Sequence, residues 1–115
     1  MAKIRLSFVT NSSSSSFILA IKNDITREEL EEIVAKRIKD TQFSSEFDYY
    51  DVETEEEAID KIVSSLLEDL KCAMALDNWK VLGGDCSNES EDIFNGFIYQ
   101  CGFENTEKIK NKFFD

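Results

Sequence analysis

The chain has 115 residues, with 13 Lys and Arg against 24 Asp and Glu, a formal net charge of −11. It has no histidine and no proline, nine Phe and three Cys. Those counts exclude a Ser-His-Asp triad, a Cys-His pair, an HExxH zinc site and any imidazole base. They leave one domain, residues 1–115, with enough apolar side chains for a real core.

No apolar run approaches the ~20 residues that cross a bilayer. Met1-Ala2-Lys3-Ile4-Arg5 lacks the apolar stretch of a signal peptide, so no membrane and a cytoplasmic location are expected. Cys72, Cys86 and Cys101 are far apart and form no CxxC, which fits reduced thiols. Charge is uneven. Residues 1–22 carry a net of +3 from Lys3, Arg5 and Lys22, residues 23–69 a net of −11, and residues 70–115 a net of −3.

In chain order, Ile4, Leu6 and Phe8 alternate with Lys3, Arg5 and Ser7, the period of a half-buried strand. Phe17, Leu19 and Ile21 repeat the pattern, with Ile18, Ala20 and Lys22 opposite. The intervening Asn11-Ser12-Ser13-Ser14-Ser15-Ser16 predicts a loop closing an antiparallel hairpin. Thr26-Arg27-Glu28-Glu29 is a capping box opening a helix to about Lys39, striped by Leu30, Ile33, Val34 and Ile38. Glu32 and Lys36 fall at i, i+4. Residues 41–53 read either as a short edge strand or as an ordered aromatic loop. Thr54-Glu55-Glu56-Glu57 is a second capping box, and the helix behind it is expected to reach about Leu76. Asn78 to Leu82 predicts a short strand with Trp79 and Val81 on one side, and Gly83-Gly84-Asp85 a turn. Asn88-Glu89-Ser90-Glu91 resembles a third capping box. Ile93, Phe94, Phe97, Ile98 and Cys101 then recur at helical spacing, with Gly102 placed to end the helix; a strand reading with Ile93, Phe97 and Tyr99 on one face is the weaker alternative. Ile109 and Phe113 predict a short terminal helix. The fold class is α+β: a small, mainly antiparallel sheet with an N-terminal hairpin, packed by two or three helices.

The segment Phe8-Val9-Thr10-Asn11-Ser12-Ser13-Ser14-Ser15-Ser16-Phe17-Ile18 resembles an N-terminal segment of many small proteins of bacteria and their phages, mostly of unassigned function. The resemblance covers about the first 20 residues. It implies a phage or mobile-element context and carries over no catalytic residue.

Two features point to contact with a partner. Glu46, Asp48, Asp51, Glu53, Glu55, Glu56, Glu57 and Asp60 are interleaved with Tyr49 and Tyr50. Capping and the helix dipole explain the Glu triplet in part; the plain reading of the rest is a solvated face. The sharper reading is a docking band for a basic surface of a host protein, with the tyrosines as anchors. Carboxylates along a surface imitate phosphates, so the concrete form is an anti-CRISPR-like inhibitor of a host nucleic-acid-binding complex. A field of this sign repels nucleic acid itself. The alternative is an anion-binding or nucleotide-binding loop built from Asn11 and Ser12–Ser16, with Lys3, Arg5 and Lys22 supplying positive charge. No calcium-loop spacing, zinc spacing or marked carboxylate pair singles out a metal, a cofactor or an enzymatic reaction.

Overall fold

The computed structural model describes residues 14–87 and 90–114. In chain order the elements are β1 (Ser14–Lys22), α1 (Arg27–Thr41), a 3₁₀ turn (Phe43–Glu46), α2 (Glu55–Leu70), β2 (Met74–Leu76), β3 (Trp79–Ser87), α3 (Ile93–Gln100) and β4 (Ile109–Phe114). The four strands form one antiparallel sheet in the order β2-β3-β1-β4, and with the three helices this is the expected α+β class.

Alternation in β1 sorts the sheet into two faces. Phe17, Leu19 and Ile21 are buried, and Leu19 is 0% exposed. They join Leu30, Val34 and Ile38 of α1, Ala58, Ile62, Val63, Leu66 and Leu70 of α2, and Phe94, Phe97 and Ile98 of α3 in one core. The helices therefore lie on a single side of the sheet.

β1 is one of the two interior strands. It pairs with β3 along Ser14–Lys22 and with β4 along Ser16–Ile21. Both of its edges are filled there, so β1's neighbours come from the distant C-terminal half and not from an adjoining N-terminal hairpin. Residues 3–10, expected as the hairpin's first strand, lie outside the described residues. The Ser run is likewise corrected: Ser14, Ser15 and Ser16 are strand, paired with Ser87, Cys86 and Asp85. Ladder hydrogen bonds to β3 override the low strand preference of serine.

The helix starts follow the sequence closely. Thr26 Oγ1 accepts from the Glu29 amide and the Glu29 carboxylate accepts from the Thr26 amide, a complete capping box. Thr54 caps α2 through the Glu57 amide, but the Glu57 carboxylate reaches one residue further back, to the Glu53 amide at 2.9 Å. α3 starts at Asp92, whose carboxylate accepts from the Asn95 amide, and not at the expected Asn88 box. It ends as expected: Gly102 has φ 67° and donates to the Phe97 carbonyl at 2.9 Å.

Four further expectations are corrected. α2 stops at Leu70; the Lys71, Cys72 and Ala73 amides tighten onto Glu68, Asp69 and Leu70, and the chain turns into β2. Gly83, Gly84 and Asp85 continue β3 instead of turning; the turn is Asp77-Asn78, with Asp77 at φ 54°. The tail is a strand, β4, and not a helix. Lys36 does not pair with Glu32; its ammonium lies 3.8 Å from both Asp40 and Glu104. Among the described residues no helix is long and apolar enough to cross a membrane.

Candidate interaction surfaces

Residues 42–54 carry much of the acidic band and run from α1 to α2 by turns, not by a strand. Gln42 takes a left-handed φ of 58°, the 3₁₀ turn follows, and the Tyr49, Tyr50 and Val52 amides bond back to Glu46, Phe47 and Phe47. These turns roll the aromatic side chains inward. Phe43 meets Phe97 edge-on at 5.8 Å and Tyr50 at 5.7 Å, and Tyr50 meets Tyr49 edge-on at 5.0 Å. Tyr50 is only 5% exposed and Tyr49 is half-buried against it. The tyrosines expected as partner anchors are thus wholly or partly committed to the core, because burying a phenyl ring stabilises the fold by several kcal/mol.

The carboxylates divide. Glu46 accepts from the Gln100 amide nitrogen at 3.0 Å. Glu57 accepts from the Glu53 amide, which holds its carboxyl pKa below the usual carboxylate range, and lies 3.5 Å from Lys61. Asp60 is bound by Arg27 at 2.8 Å, and the same guanidinium reaches Glu31 at 3.0 Å and the Ser64 hydroxyl at 3.2 Å. Arg27 therefore interrupts the acidic band at the α1–α2 seam. On α1, Glu29 turns to Lys108 at 3.1 Å, away from the connector. Asp51 is exposed with φ 59°. Asp48, Glu53 and Glu56 are exposed and Glu55 half-exposed, and no cation pairs with these four among the described residues.

The proposed anion loop fares differently. Lys3, Arg5, Asn11, Ser12 and Ser13 lie outside the described residues. Ser16 donates to the Asp85 carboxylate at 2.8 Å, so its neighbour is an anion. The Ser15 carbonyl accepts from the Cys86 thiol at 3.4 Å. Lys22 sits at the opposite end of β1, eight residues from Ser14 and roughly 26 Å away at the rise of a strand. Strand geometry thus separates Lys22 from the serines it was grouped with.

A second surface was not singled out from the sequence. The sheet face opposite the helices has no layer over it among the described residues. Register places Leu76, Trp79 and Lys22 in one row across it, then Met74, Val81, Ala20 and Lys110, then Gly83, Ile18 and Lys112, then Asp85, Ser16 and Phe114. Met74 is 68% exposed, Leu76 56%, Ile18 44% and Phe114 41%. Its signal in the sequence was the set of alternate residues facing away from the core on each strand, even-numbered in β1, β2 and β4 and odd-numbered in β3, legible only once β4 is known to be a strand.

Among the described residues no cluster of three or more His, Cys, Asp or Glu is arranged to hold a metal ion. Cys86 is buried, Cys101 half-buried and Cys72 exposed. Burial pushes the Cys86 and Cys101 thiols up from their ordinary range, against the hydrogen bonds of Ser15 and Thr41 respectively. No protein-family model, curated protein or solved structure matches the chain.

Proposed function

We propose that this chain is a small cytoplasmic interaction module whose acidic connector and α2 start dock a basic surface of a host protein. In its concrete form it is a phage-encoded, anti-CRISPR-like inhibitor that occupies a nucleic-acid-binding channel as a phosphate mimic. The carrying observation is the group Asp48, Glu53, Glu55 and Glu56, which lacks a cationic partner among the described residues. A basic channel supplies those partners and releases its own counterions on binding, which makes the association strongly salt-dependent. The phage-like N-terminal segment supports the same reading. Contact with the partner rests on carboxylates, since the tyrosines are drawn inward.

The test is capture of host nucleic-acid-binding complexes at low and high ionic strength. The wild-type chain is expected to capture at low salt and to release as salt rises. A variant with Asp48→Asn, Glu53→Gln, Glu55→Gln and Glu56→Gln is expected to lose capture while keeping its Tm. Capture that ignores salt, or survives this neutralisation, overturns the proposal.

A further inference from the structure

The open sheet face carries an inference independent of the acidic band. Its two ends differ in chemistry. Met74, Leu76 and Val81 make the β2–β3 side apolar, and Ile18 and Ala20 extend it across β1. Lys110 and Lys112 make the β4 side basic, and Lys22 adds a third ammonium at one end. A shallow open depression lies between these sides, lined by Ile18, Ala20, Lys110 and Lys112 and rimmed by Asn105 and Asn111. The strands together carry four Lys and one Asp, the reverse of the helical layer's sign.

Side chains and a loop cover parts of the β3 and β4 edges. Asn95 of α3 donates to the Asp85 carbonyl at 2.8 Å and accepts from the Ser87 amide at 3.0 Å, covering the outer edge of β3 where β2 ends. On β4, the Asn105 side chain accepts from the Asn111 amide at 2.7 Å and the Thr106 amide donates to the Ile109 carbonyl at 2.8 Å. Side chains and a loop thus hold the backbone groups that strand addition would need. The flat of the sheet is the broader surface without such cover among the described residues.

We propose that this face docks an acidic amphipathic helix of a partner protein, its apolar stripe over Ile18, Val81 and Met74 and its carboxylates against Lys22, Lys110 and Lys112. Four strands spaced about 4.8 Å apart offer a width near 14 Å, which takes one helix of about 10 Å diameter. Single-stranded nucleic acid fits less well. The Lys22 ammonium already lies over the Trp79 ring at 5.8 Å and Lys112 over Phe114 at 5.3 Å, so a cation sits over each ring face that a base would stack on. A second copy packed face to face with β4 on β4 would set lysine against lysine. The chain's own residues 1–13 carry Lys3 and Arg5, the same sign as the face.

The experiment titrates the ¹⁵N-labelled full chain with a synthetic Leu/Glu amphipathic helical peptide and with its Leu/Lys counterpart. The Leu/Glu peptide is expected to shift amides of β1, β3 and β4, with at least roughly tenfold tighter binding than the Leu/Lys peptide. Lys110→Glu with Lys112→Glu is expected to weaken it tenfold or more without moving Tm, and the uncharged change Ile18→Ser to weaken it by loss of apolar contact alone. Shifts confined to α1 and α2, or equal binding of the two peptides, overturn the proposal. So does preferential binding of oligo-dT, which makes the face a nucleic-acid site. Concentration-dependent self-association that protects the same amides also overturns it, in favour of a second copy. None of these readouts depends on the acidic connector, so failure of either proposal leaves the other standing.

Discussion

The phenol of Tyr50 stands against the bare Cα of Gly96, in the space that any side chain at that position would need. Through this contact the connector between α1 and α2 closes over the middle of α3, and Phe43 and Phe97 complete the seal.

Gly96→Ala tests the contact directly. In an ordinary helix this change stabilises by about 1 kcal/mol. Here the methyl meets the Tyr50 ring, and a net loss of about 1–3 kcal/mol is expected from overpacking. Adding Tyr50→Leu to Gly96→Ala should recover part of that loss, giving a favourable coupling in a urea double-mutant cycle. A Gly96→Ala variant with a raised midpoint contradicts the packing described.

The two sides of β1 should respond oppositely to truncation. Leu19→Ala removes a wholly buried side chain and should cost about 2–5 kcal/mol. Ile18→Ala, one residue away on the open face, should stay within about 1 kcal/mol of wild type. Comparable losses at both positions would mean that the open face is covered in solution.

Glu29 joins the α1 cap to the entry of β4. The Thr26 amide and the Lys108 ammonium hold its carboxyl below the usual range, and the same pairing raises Lys108 above its own. For Glu29 the added stability is present above the unfolded carboxylate value of about 4.3 and fades as pH falls through the lower folded value. For Lys108 it is complete below about 10.4 and fades as pH rises through the raised folded value. Glu29→Gln should flatten the acid limb of a Tm-against-pH curve and weaken the alkaline limb. Thr26→Ala should cost about 1 kcal/mol at every pH, by loss of the Oγ1 cap.

Asp69 sits at the C-terminal end of α2, where the dipole disfavours negative charge. Desolvation by neighbouring protein, with the Asp92 and Glu68 charges nearby, raises its carboxyl above the ordinary value. A raised carboxylate destabilises the fold as pH rises from the unfolded value through the folded one. Asp69→Asn should therefore raise Tm at neutral pH, and the gain should vanish in acid. A gain that persists in acid would point to a cause other than charge.

The cysteines should react in order of exposure. A maleimide probe should modify Cys72 first, Cys101 slowly and Cys86 only on unfolding, since the latter two are shielded and held in the thiol form. Peptide mapping of a time course reads the order.

Several local features follow from neighbouring residues alone. Caps at Thr26 and Thr54, the alternation of Phe17, Leu19 and Ile21, the stripes of α1 and α2 and the glycine stop at 102 are each set within a few residues by hydrogen-bond and side-chain periodicity. Tertiary structure decided the rest. Ile109 and Phe113 are four apart, a spacing that suits both a helix turn and alternate strand positions, and only the ladder with β1 selects the strand. Leu70, Ala73 and Met74 continue a helical stripe without a glycine or proline to stop it, yet Met74 leaves to pair with Val81. Which carboxylates are neutralised depended on Arg27, Lys61 and Lys108 arriving from one turn, or from 33 or 79 residues, away. The mixed apolar and basic face exists only once four strands from both ends of the chain are aligned in register, because pairing partners distant in sequence leave no local pattern to read.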